Sequence, residues 1–566
     1  MKQILPLSCF CAVLAAVCLA QDSLPAKNNA LPSSSGTVVY HHARIYTNNP
    51  EAPWAQAIAV RNGLILDVVP ESSVAQWAAQ GAEIVDLQGG FVMPGFNDAH
   101  VHLGGAGADL LGVSLNGAAT VAEFQRRIHA AAVAHDRDEW ILGRGWDHTL
   151  WPEKKFPTRQ MLDEAAPHNP VFLTHVSGHV GVVNSAALKL AGITRDTPNP
   201  SGGEIERDAA GEPTGILKEG AAMELLAKNI PALSRAQRQK GIELALADLA
   251  RNGVTSIQDN SDWLDFLAYR DLLKAGRLTA RITEWLPFTA SMDELELMRR
   301  EGGTTDPWLK TGAVKMVTDG ALGTRTAYML AGYSDQPGTR GIFILDAEKL
   351  RTMAIKRDKA GFQLAFHAIG DAANRISLDV FESVAKANGP RDRRSRVEHA
   401  QVIAQEDIPR FAALGVIASM QPSHETSDMR WAGERLGPER SKGAYAWASL
   451  QKSGARLAFG TDYDVEPISP FRGLYACVTR ELPEGGPAGG WQPQEKIPLE
   501  DCICAYTSGS AYAQFEEGKK GELKEGEYAD FIVLSADLTK IPAAQFIKTS
   551  VLRTVVGGRT VYQSPQ

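Results

Sequence analysis

Cysteine is scarce in this chain of 566 residues: there are six, and Cys9, Cys11 and Cys18 lie within the first 20 positions. The other three, Cys477, Cys502 and Cys504, are odd in number and make no disulfide framework. Cys502 and Cys504 fall in an expected helix, where residues two apart point in different directions. They are expected as buried free thiols, and a bridge from Cys477 to one of them stays open in an oxidising compartment. No basic stripe stands out against a net charge of −8, so nucleic acid is not expected as a partner. No GxGxxG follows the first strand of the central region, which argues against a dinucleotide fold. Beyond residue 20 no apolar run is long enough to span a bilayer.

One apolar run stands at the very start. Met1-Lys2 precedes ILPLSCFCAVLAAVCLA, residues 4–20, which has the pattern of a secretory signal cut between Ala20 and Gln21. Val17 before Cys18 excludes a lipoprotein reading. The mature protein is therefore expected to be exported, periplasmic or secreted, and free of the membrane once the signal is removed. Residues 21–36 read as a polar linker. The remainder has ordinary globular composition, 44% hydrophobic and 22% charged, and is long enough for a large core with accessory modules.

Residues 37–92 alternate short β-rich runs with Gly and Asn turns, and residues 521–566 carry a matching set. Two half-sheets at opposite ends imply one β-sandwich built from both termini. Between them, over 93–520, strand-like runs recur at 91–102, 254–260, 280–288, 313–320, 362–371, 395–402, 415–423 and 455–464. The segments between carry apolar residues at helical spacing and often end at Gly. Eight strands alternating with helices predict an α/β fold, a closed (β/α)₈ TIM barrel. The long stretch at about 104–235 has strands of its own. It reads as a lid subdomain inserted after strand one, at the carboxyl mouth of the barrel.

Chemistry-bearing residues fall at the carboxyl ends of these strands, where barrels place active sites. In GFVMPGFNDAHVHLGG, the strand period puts Asp98, His100 and His102 on one face. Two imidazoles so placed can share a zinc-like ion. Strand four carries Lys315 in an apolar run, strand five ends in His367, strand six in His399 and strand eight in Asp462. Burying so many polar groups without partners would cost several kcal/mol. An interior lysine has a bland explanation, pairing with a carboxylate such as Asp319. A desolvated lysine also loses its proton readily, and its neutral amine can react with CO₂ to give a carbamate that bridges cations.

These motifs, PGFNDAHVHL, VKMVTDGALGTRTA, FHAIGDAAN, VEHAQ and GTDYDVEP, resemble the amidohydrolase superfamily, and within it the amidohydrolase family 3 group of N-substituted formamide deformylase-like, metal-dependent hydrolases. The resemblance spans essentially the whole mature chain. It implies one or two divalent ions, usually zinc: His100 and His102 on one, His367 and His399 on the other, a carbamylated Lys315 between them, and Asp462 as both ligand and general base. The implied chemistry is hydrolysis of a non-peptide carbon–nitrogen bond in a small amide or formamide by metal-activated hydroxide. An esterase or carbamate hydrolase, a metal-assisted isomerase or lyase, and a non-catalytic binding protein are the alternatives.

Other residues enter with smaller roles. His179 is a candidate substrate donor, or a structural partner of Asn184. Arg325 would bind a substrate carboxylate or position the loop after strand four. Trp146, with Asp147 and His148, would line the pocket, and His424 would form part of its wall. Asp371 is expected to cap the helix after strand five. The partner expected is a small-molecule substrate, and a homodimer stays open.

Overall fold

The computed structural model describes residues 36–175, 180–200, 203–218 and 220–565. They fall within one contact unit, Ser33–Gln566. The expected signal, all of the expected linker but Gly36, and His179 lie outside the described residues.

Eight parallel strands form the central sheet: β1 (Phe96–Val101), β2 (Val254–Asp259), β3 (Arg281–Pro287), β4 (Leu309–Val317), β5 (Leu364–Ala368), β6 (Arg396–His399), β7 (Ile417–Met420) and β8 (Leu457–Phe459). Every residue of β1, β2, β6, β7 and β8 is buried, as parallel strands covered on both faces must be. The ring closes just past β8, where Asp462 N donates to His100 O (2.8 Å) and His102 N to Tyr463 O (2.5 Å). The predicted (β/α)₈ barrel is therefore the fold. Helices Arg235–Arg251, Trp263–Lys274 and Met292–Gly302 each begin at a capping box, on Ser234, Asp262 and Ser291. Those caps satisfy amide groups the first helical turn leaves free.

Strand one is shorter than expected. Residues 91–94 belong to the terminal sheet, at the end of the strand Glu83–Pro94, and the barrel strand starts at Phe96. Gly95 between them passes against Thr255, whose Cγ2 would lie 2.2 Å from any added Cβ. The break is steric, and a reading of hydrophobicity alone runs the two strands together.

The terminal strands join into a single eight-stranded sheet fed from both ends of the chain. It rolls on itself: Ile65 N donates to Glu527 O (2.8 Å) and Ala529 N to Gly63 O (2.9 Å). The roll encloses Tyr40, Ile58, Val92, Phe531 and Val555. The insertion after β1 carries a separate six-stranded sheet with its own apolar cluster around Phe124, Trp146, Trp151 and Leu173.

Of the two readings of the cysteines, the bridge left open from Cys477 is the one that forms, and the expectation of buried free thiols fails at Cys477 and Cys502. Cys477 and Cys502 form a disulfide, while Cys504 is free and exposed. The helices Pro470–Thr479 and Leu499–Ala505 pack together and bring the first two within reach, 6.4 Å between Cα atoms.

Candidate metal centre

The carboxyl ends of β1, β4, β5, β6 and β8 converge on a cavity of about 720 Å³, a size suited to a small molecule. His100, His102, Lys315, His367, His399 and Asp462 all line it. Asp462 is central. Its Oδ1 lies 3.2 Å from His102 Nε2 and 3.6 Å from His100 Nε2, and its Oδ2 lies 3.6 Å from His424 Nε2. Two three-donor groups share it, His100–His102–Asp462 and His399–His424–Asp462, each with donor atoms within 4.8 Å of one another.

The far nitrogen of three imidazoles is already engaged. His100 Nδ1 bonds Glu398 Oε2 (2.9 Å), His102 Nδ1 bonds Asn260 O (2.9 Å) and His399 Nδ1 bonds Gln421 Oε1 (2.8 Å). Such contacts fix the tautomer and leave each Nε2 lone pair facing the cavity. Burial, then the neighbouring Lys315, holds His100 far below its ordinary pKa; burial and His367 do the same to His399. Both are neutral donors. Burial opposes ionisation of Asp462, but the imidazole of His102, 3.2 Å away, and then those of His399 and His424 outweigh it and hold the carboxyl below its ordinary range. His102 is lifted in turn, because that contact outweighs its own burial.

A divalent cation fits these residues. Asp462 Oδ1 and His424 Nε2 are buried with no hydrogen-bond partner among the described residues. Orphaned buried acceptors are costly unless something else binds them. A carboxylate amid neutral imidazoles is a donor set for zinc-like ions. His399 and Asp462 also adopt positive φ, 71° and 57°, strain that buried sites hold when the geometry is needed.

Lys315 is buried and its ammonium is pulled down to about 8 by desolvation. Its Nζ lies 3.3 Å from His100 Nε2. It does not pair with Asp319, whose carboxylate accepts from the backbone of Tyr328, Ile369 and Gly370. His367 stands apart from both three-donor groups. Its ring centroid is 4.5 Å from that of His399, but its Nε2 lies 3.2 Å from Gly320 O and 3.4 Å from Asp319 Oδ1.

The remaining expected residues have other surroundings. Trp146 is fully buried in the inserted domain and donates Nε1 to Leu173 O (3.0 Å), so its indole packs there rather than lining the barrel cavity. Arg325 is held by Asp335, Nη2 to Oδ2 at 2.6 Å, which positions the loop after β4. Asp371 does not cap its helix. It is the first residue of Asp371–Asn388, and its Oδ1 accepts from Leu330 N (2.7 Å). Asp98 accepts from Thr461 Oγ1 (2.6 Å) and His100 N (3.1 Å), tying β1 to the segment that carries Asp462; burial pushes it up to about 7.

One wall was not anticipated beyond its first residue. His424, Asp428, Trp431 and Arg435 lie on the helix Pro422–Ser441 and all line the cavity. Their spacing of four, three and four places them on one helical face. That spacing is visible in the sequence, although strand ends alone point to His424 and not to the other three.

A barrel with paired imidazole–carboxylate donor groups at its carboxyl mouth defines the class of metal-dependent hydrolases. The relatives agree. Residues 83–562 match the amidohydrolase family. The chain is 36% identical to Protein LONG AFTER FAR-RED 3 of Arabidopsis thaliana over 92% of its own length and 90% of that protein's. It is 30% identical to an N-substituted formamide deformylase of Arthrobacter pascens, over 92% and 97%. Its fold is similar to the crystal structure of an uncharacterized metal-dependent hydrolase from Pyrococcus furiosus, with a TM-score of 0.74, 30% identity, and 88% and 99% of the two chains covered. The chain belongs to the amidohydrolase family, and it is a hydrolase.

Proposed function

We propose that this enzyme hydrolyses a carbon–nitrogen bond in a small non-peptide amide of the formamide type, with Asp462 as general base. The observation that carries this reading is the Asp462 carboxylate, buried at the cavity floor, with Oδ1 unpartnered and facing His100 and His102. His100, His102, His399, His424 and Asp462 would hold one or two divalent cations, zinc by donor type, with Lys315 beside His100 to complete the set as a carbamate. When bound, such a cation supplies Lewis acidity, making water a stronger acid and polarising a carbonyl oxygen.

The chain's own residues do the rest. Asp462, ionised at neutral pH, takes the proton of the attacking water and delivers it to the leaving nitrogen. Val317, Leu322, Ile369 and Trp431 give the cavity an apolar wall that orients a nonpolar N-substituent and excludes water. The similarity to a formamide deformylase supports this substrate class. The Cys477–Cys502 disulfide and the signal-like first 20 residues support action in an oxidising compartment outside the cytoplasm.

The test is turnover of N-substituted formamides, N-acyl amino acids, cyclic amides and esters by zinc-loaded protein, repeated after chelation and after metal return. Formamide turnover that is lost on chelation and restored by metal is expected. Turnover indifferent to chelation, or confined to esters, would contradict the proposal.

A further inference from the structure

The inserted domain holds a second cluster of metal-ligating side chains, which the barrel chemistry does not use. Its strands Ile141–Trp146 and Val171–His175 run parallel, with Trp146 in register with His175. Both end at the same level, and open α/β sheets bind ligands at the carboxyl ends of parallel strands. Asp147 and His148 follow the first strand directly, and His175 closes the second. One donor atom from each of the three lies within 4.8 Å of the other two, the spacing found in the barrel groups. Asp147 Oδ1 is 3.9 Å from His175 Nε2.

Packing holds the three in place. The Trp146 indole, pinned by its hydrogen bond to Leu173 O, meets the His175 ring edge-on at 4.5 Å. Phe156 meets the His148 ring at 4.5 Å. Asp147 Oδ1 accepts from Thr149 N (2.9 Å) and Thr149 Oγ1 (2.7 Å), which sets the turn after the strand. Among the described residues, His148 Nδ1 is buried with no hydrogen-bond partner. Among the described residues, Asp147 forms its ion pair with His175, and no lysine or arginine neutralises it. Side-chain exposures of 24% for Asp147 and 12% for His175 leave a path for an ion to enter.

We propose that Asp147, His148 and His175 form a further divalent-cation site, in the inserted domain and sharing no ligand with the barrel centre. One carboxylate and two imidazoles suit zinc, with one coordination position left to water. The ion would tie together the ends of two strands at the mouth of the barrel. Arg144 and Gly145, just before the cluster, share a surface cavity with Val465 and Glu466, and those two also line the barrel cavity.

The experiment counts zinc by elemental analysis after loading and desalting. His148→Ala is expected to carry one equivalent fewer than the parent. Asp147→Asn, which keeps side-chain size, should show the same loss while circular dichroism stays unchanged. In a His100→Ala/Asp462→Ala background, which removes donors from both barrel groups, one equivalent should remain, and adding His148→Ala should abolish it. This last arm does not depend on the barrel chemistry, so its failure and that of the proposed reaction are distinguishable. Equal zinc in the parent and in both lid variants would overturn the proposal, as would a barrel double variant that folds and holds no zinc.

Discussion

Replacing Glu398 by glutamine separates ligand orientation from fold stability at this centre. Glu398 is fully buried between two partners: its carboxylate accepts from His100 Nδ1 at 2.9 Å and from Arg396 Nε at 2.8 Å. Arg396 is itself fully buried inside the barrel. Breaking a buried ion pair from one side costs about 3–5 kcal/mol, because the other charge is stranded. Here the low end, about 3 kcal/mol, is expected, since Arg396 keeps Ala99 O, Ser419 Oγ and Gln258 Oε1 as neutral acceptors. The second effect falls on His100. Without a carboxylate behind Nδ1 its ring is a poorer and less well-oriented donor, and such partners are worth about 10- to 100-fold in metal affinity. Chelator competition measures the affinity, and denaturant titration the stability. The double variant Arg396→Met/Glu398→Gln removes the stranded charge and should recover most of the stability while the affinity loss persists. Wild-type zinc affinity in Glu398→Gln, or recovery of affinity together with stability in the double variant, would refute the reasoning.

Asp462→Asn should retain zinc but lose turnover by about 100- to 10,000-fold, the usual span for a general base, whereas Lys315→Ala should lower metal content; elemental analysis beside single-turnover rates distinguishes the two. The Cys477–Cys502 bridge closes a loop with a sequence separation of 25, so reduction should cost about 3.5 kcal/mol by the loop-entropy estimate, seen as a lower denaturant midpoint. In a chain beginning at Gln21, unfolded without reductant, a thiol reagent should label Cys504 alone, and labelling of three cysteines would disprove the bridge. Burial pushes Glu527 from 4.5 up to about 7, so the folded chain keeps a proton there that the unfolded chain releases. Its contribution is therefore full below pH 4.5 and is lost as pH rises through about 7, at most about 3 kcal/mol. The Glu527→Gln variant should show a flatter midpoint-against-pH curve over that window.

Periodicity carried most of the fold. Eight buried strands separated by amphipathic helices are legible because parallel strands are apolar throughout and helices repeat every 3.6 residues. The clustering of His100, His102, His399 and Asp462 was legible for the same reason: each stands at the end of such a strand. What escaped depended on three-dimensional contact. The division at Gly95 arises from Thr255, about 160 residues away, and no local pattern signals it. The disulfide depends on two helices meeting side by side. Residue type alone points Trp146 to the pocket, yet its indole is packed inside the inserted domain, while Arg325, paired with Asp335, takes the loop-positioning alternative. The His424–Asp428–Trp431–Arg435 face was there to be found by helical spacing, which is the signal a search confined to strand ends passes over.

The most direct test of the account is the fate of oxygen. Zinc-loaded protein turning over an N-substituted formamide in ¹⁸O-water should release formate carrying one solvent oxygen, with the amine unlabelled. Formate or any other product formed without solvent oxygen would contradict hydrolysis at this centre.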